Sequence, residues 1–61
     1  MLEDDRIPVE VDTAIDSLDA IRFVYRRDNF VSSKYVLEKL SNAEYVISWL
    51  KSIAEKGENN G

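Results

Sequence analysis

Residues 33–56 read SKYVLEKLSNAEYVISWLKSIAEK, and whether this stretch is one helix or two decides the fold. As a single helix it places Val36, Leu40, Ala43, Ile47, Leu50 and Ala54 at alternating spacings of four and three, a stripe down one side of the cylinder. The apolar direction shifts along the stretch, however. At about 100° per residue, Val36, Leu37 and Leu40 centre on one direction, whereas Val46, Trp49, Leu50 and Ile53 centre about a quarter-turn away. Where the shift occurs, Ser41-Asn42-Ala43-Glu44 spells a capping box, with Ser at the cap and Glu three residues on. The favoured reading is a short helix over 33–40 and a longer one over 42–56, with a continuous, locally bent helix as the alternative. Gly57 is expected to close the second as a C-terminal cap, leaving 57–61 as a flexible tail.

Upstream, residues 1–5 are acidic and expected to be flexible. Residues 6–11, RIPVEV, then alternate with period two, which predicts a short strand or extended segment over 7–11 with Ile7, Val9 and Val11 on one face. Pro8 donates no ladder hydrogen bond, so such a strand lies at an edge. With no partner strand in its own chain, it either lies on the helices as an arm or pairs with its twin in a dimer. Asp12 or Thr13 can cap a first helix over about 13–28, Thr13 forming a box-like pair with Asp16. Ala14, Leu18, Ile21 and Tyr25 form its stripe with Ile15 and Val24 on the flanks, and Phe23 falls on the far side. Asp16 and Asp19 near its start and Arg22, Arg26 and Arg27 near its end complement the helix dipole. Asp28-Asn29 reads as a stop, since Asn takes a left-handed conformation at little cost, and Ser32 or Ser33 caps the next helix. The expected fold is mainly α: one small domain, an N-terminal extended segment, then two or three antiparallel helices in a hairpin or small bundle, dimeric.

Dimerisation is expected from size. A 61-residue chain buries a smaller share of its surface than a larger domain, and this one has neither cysteine nor histidine to supply a disulfide or a structural zinc. Hydrophobic residues at 44% and charged residues at 33% describe a folding chain rather than a disordered one. The net charge of −4 argues against general nucleic-acid binding, which requires a surplus of Lys and Arg. The charge is also unevenly placed: residues 1–19 hold seven acids against Arg6 alone, and the remainder seven bases against five acids. No apolar run approaches a membrane span and the acidic start lacks the pattern of a signal peptide, so the expected location is the cytoplasm.

Chemistry is sparse. Without His or Cys the usual general base and the most reactive nucleophile are missing, so no catalytic residue is assigned and no enzyme is expected. Both glycines, Gly57 and Gly61, lie at the C-terminal end, where they cannot cradle a phosphate, and no cofactor is implied. Asp12, Asp16 and Asp19 share a helix face, but capping and dipole compensation explain them without a metal. Arg22, Arg26, Arg27 and Lys34 form the only basic cluster, read either as solvated charges that balance the dipole of the first helix or as a site for phosphate or an acidic partner. Asp28 and the acidic N-terminal segment disfavour the second reading. More informative are the aromatic and apolar residues left over by the long stripe. Phe23, Tyr35, Tyr45, Val46, Trp49 and Ile53 are the candidate interface, because Tyr and Trp concentrate at the anchoring centres of protein contacts.

The order of one short strand, a helix and a second helix opening at Ser32-Ser33 resembles, over residues 7–40, the ribbon-helix-helix dimers of repressors and antitoxins. That resemblance implies a paired ribbon whose outward side chains, Arg6, Pro8 and Glu10, enter the DNA major groove. They would offer one donor, one residue without an N–H and one anion. The leading expectation is therefore a small acidic, non-catalytic helical protein that self-associates and acts on another protein as a regulator, adaptor or inhibitor. The alternatives are a ribbon-helix-helix DNA-binding regulator or antitoxin, and an acidic mimic of DNA phosphates built on the seven early acids.

Overall fold

The computed structural model describes residues 3–60, with side chains through Gly57. Two helices, α1 (Arg6–Asp28) and α2 (Ser33–Asn60), lie antiparallel as a hairpin joined by residues 29–32. Among the described residues there is no strand, and no helix is long and apolar enough to cross a membrane.

The segment over 7–11 read as a strand forms instead the first turns of α1, which begins seven residues before the predicted start at 13. Pro8 is the reason both readings fit. In third position of a helix its missing N–H has no intrahelical acceptor to lose, so the residue that marks an edge strand also suits a first turn. The free donors are met by Asp4, whose Oδ1 accepts the Arg6 N–H at 2.9 Å and whose carbonyl accepts the Ile7 N–H at 3.0 Å. Asp12 and Thr13 then lie inside the helix, and the Thr13 hydroxyl donates to the Val9 carbonyl one turn back.

At the other end Asn29 adopts φ 60°, ψ 22° and donates its N–H to the Tyr25 carbonyl at 2.7 Å, the left-handed stop expected of it. Ser32 caps α2, its Oγ accepting the Tyr35 N–H at 3.2 Å. The capping box at Ser41 does not act as one: α2 is a single helix through 33–40 and 42–56, and it runs past Gly57 to Asn60. The expectation of flexible ends falls partly on residues 1, 2 and 61, outside the described residues.

The seam explains the unbroken α2. Its closest positions are Ser17 on α1 and Ala43 and Val46 on α2, exposed by 8%, 2% and 2%, with Ala14, Ile21, Val24, Leu40, Leu50 and Ile53 half-buried around them. Taking Val46 rather than Ile47, the α2 stripe runs 36, 40, 43, 46, 50, 53 and 57, about one residue every 3.5, which one uninterrupted helix keeps turned toward an antiparallel neighbour. Small Ser17 and Ala43 at mid-seam let the backbones approach. With these positions turned into the seam, the predicted stripe residues Leu18 and Tyr25 of α1 and Ile47 of α2 are carried to about half exposure. The hairpin measures 47 × 18 × 11 Å, a single layer two helices wide.

Candidate functional site

Placing each residue at about 100° per position divides the hairpin into two broad sides. The guanidinium of Arg6 sits over the Trp49 ring at 5.2 Å from its centroid, and Arg6, Glu10, Tyr45 and Trp49 line one small cleft, so these four mark the same side. From α1 that side also carries Val9, Thr13, Ala20 and Arg27, with Val9 well exposed, and from α2 Glu38, Asn42 and Lys56. It is a polar side with aromatic insertions. The opposite side receives Val11, Ile15, Leu18 and Tyr25 from α1 and Val36, Leu40, Ile47 and Ala54 from α2, interrupted by Arg22, Glu44 and Lys51. Of these, Ile15, Leu18, Tyr25 and Ile47 are each about half exposed, and Leu37 at its rim more so.

Four of the six candidate interface residues, Tyr35, Tyr45, Trp49 and Ile53, fall on the polar side of α2. Val46 is in the seam, 2% exposed, and so belongs to the hairpin's own packing. Tyr35, Trp49 and Ile53 are half-buried along the polar side of the seam. Tyr45 and Phe23 stand well exposed, Tyr45 on the polar side of α2 and Phe23 on the outer surface of α1. The broad aliphatic side was missed because the expected stripe put Leu18, Tyr25 and Ile47 inside the core. The signal was present in the sequence as a second stripe, Val11, Ile15, Leu18, Arg22 and Tyr25, running beside the one used by the seam.

The polar groups are arranged locally. Asp4 is held by Arg6 in a two-point ion pair, Nε to Oδ1 at 3.0 Å and Nη2 to Oδ2 at 2.6 Å. Side-chain and backbone hydrogen bonds from Arg6 bring the Asp4 carboxyl down to about 2. Arg27 in the same manner grips Asp28 and lowers its carboxyl. Arg22 pairs with Asp19 one turn before it. Arg6, Pro8 and Glu10, assigned to a DNA-reading ribbon under the resemblance, stand on the first turns of α1, with Arg6 engaged by Asp4 and Trp49.

Two concavities stand out among the described residues. The larger, about 540 Å³, is lined by Asp19, Arg22, Phe23, Arg26 and Arg27, all from α1; its walls are exposed side chains of one helix, with Arg27 over the Phe23 ring at 5.6 Å. The smaller, at Arg6, Glu10, Tyr45 and Trp49, is about 50 Å³, room for a few waters and far below the several hundred Å³ of a small-molecule site. Among the described residues no group of His, Cys, Asp and Glu converges as a metal site would require. The chain matches no family model, no curated protein and no solved structure.

Proposed function

We propose that this chain is a small acidic, non-catalytic helical hairpin that acts through protein–protein contact, as a regulator, adaptor or inhibitor, and that it self-associates. The observation that carries the reading is an imbalance. Among the described residues Ala43 and Val46 are the only buried apolar side chains, while nine large ones from Val9 to Ile47 stand about half or more exposed. Stable domains bury apolar faces between two layers, and this hairpin supplies one. The ribbon-helix-helix alternative requires a strand where the first turns of α1 lie, and the phosphate-mimic alternative draws on acids of which Asp4 and Asp19 are already paired with arginines; both observations favour docking to protein.

Light scattering across a concentration series tests the proposal. The 7.0 kDa chain is expected to show a mass that rises with concentration toward a multiple of that value. A fully helical, cooperatively folded monomer at millimolar concentration would overturn it.

A further inference from the structure

We infer that the aliphatic side of the hairpin, built on Val11, Ile15, Leu18 and Tyr25 of α1 with Leu40 and Ile47 of α2, is covered by the same side of a second copy, giving a four-helix bundle with Trp49 and Tyr45 left outside. This rests on the docking reading above and names its surface and its occupant.

Three observations select a second copy. The first is the missing layer: an 11 Å thick hairpin has no interior beyond its seam, and stacking two along their aliphatic sides creates one, with all neighbouring helices antiparallel. The second is area. The outline of a side, 47 by 18 Å or about 850 Å², is large enough to contain the roughly 800 Å² per partner of a standard stable interface. The third is charge. The gaps of this side hold both signs, Arg22 on α1 and Glu44 and Lys51 on α2. Mixed charge suits a self-complementary, two-fold contact, whereas a nucleic acid or an anionic lipid surface selects a single positive sign.

The opposite side has the same extent and also carries both signs, but two of its rings are already covered by cations, Trp49 by Arg6 and Tyr35 by Lys39. Its remaining exposed apolar residues, Val9 on α1 and Tyr45 on α2, stand apart among Glu38, Asn42 and Lys56, and Thr13 and Ala20 between them present little apolar area.

The test compares the mass of the full chain with that of single variants by sedimentation over a thousandfold range of concentration. In a two-fold contact each substitution enters twice, so Leu18→Glu and Ile47→Glu are each expected to raise the dissociation constant on the order of a hundredfold or more. Leu18→Met, apolar and similar in volume, keeps the dimer, as do Tyr45→Glu and Phe23→Glu. If the unaltered chain associates but Leu18→Glu and Ile47→Glu keep its mass, or if Tyr45→Glu or Phe23→Glu dissociates it as strongly, the assignment of the face falls and the docking reading stands. If the unaltered chain stays monomeric and folded throughout, both fall.

Discussion

Val46 and Ile47 are adjacent, both β-branched and of nearly equal hydrophobicity, yet the first is 2% exposed and the second 52%. The seam and the broad aliphatic side differ in this way along both helices: Ser17 and Leu18 on α1 repeat the contrast, with the small hydroxyl inside at 8% and the leucine outside at 47%. Hydrophobicity alone does not choose the contact line of two helices. Here the line includes the small Ser17 and Ala43, which permit close approach, and leaves larger residues such as Leu18 and Ile47 on the flank.

The sharpest way to break this comparison is to charge its two sides in turn. Val46→Asp places a carboxylate in the tightest part of the seam and is expected to cost roughly 3 kcal/mol or more, abolishing the helical circular dichroism of so small a chain. Ile47→Asp, one residue on, leaves helicity intact at concentrations where the dimer persists and weakens association instead. Equal loss of helicity from both would erase the distinction between seam and flank.

Next in size is Ala43→Leu. If the closeness of the helices depends on small side chains at mid-seam, enlarging Ala43 forces the axes apart and costs about 1–3 kcal/mol, read as a fall in denaturation midpoint. A stabilising effect would mean that the seam holds spare volume. Asn29→Ala tests the turn that sets the two helices side by side. Alanine is less tolerant of φ 60°, and a loss of about 1 kcal/mol is expected, while Asn29→Gly is nearly neutral.

The smallest effect belongs to the start of α1. Because the folded Asp4 carboxyl lies at about 2 rather than 3.8, its contribution to stability is complete above pH 3.8 and disappears as pH falls through about 2. Arg6→Ala should return Asp4 toward 3.8 in a carboxyl-detected NMR titration, with little change in global stability because the pair is at the surface. An Asp4 that stays near 2 without Arg6 would assign the shift to the helix terminus rather than to the ion pair.

How far each feature could be read in advance depends on the range of the interaction behind it. The end of α1 at Asn29 and the cap of α2 at Ser32 are set by bonds within a few residues, and both are legible. The helix start at Arg6 is governed just as locally, but Pro8 and the alternation of Ile7, Val9 and Val11 satisfy a strand and a first turn equally. The unbroken course of α2 through Ser41-Asn42-Ala43-Glu44 is of another kind, because a capping box acts only where the hydrogen-bond ladder stops. Ala43 and Val46 hold that ladder together by packing on α1 across the proposed break. As for the candidate surface, the aromatic residues drew attention by type, whereas the aliphatic side emerges only once the seam is known.

By itself the sequence determined that the chain is helical, that it turns at Asn29, and that it carries more apolar helix surface than one neighbour can cover, since propensity, caps and period are properties of short segments. Only the tertiary structure decided which of two adjacent stripes became the seam and that α2 runs unbroken. Both depend on how the two helices pack against each other, which leaves Ser17 on one and Ala43 and Val46 on the other as the most buried positions.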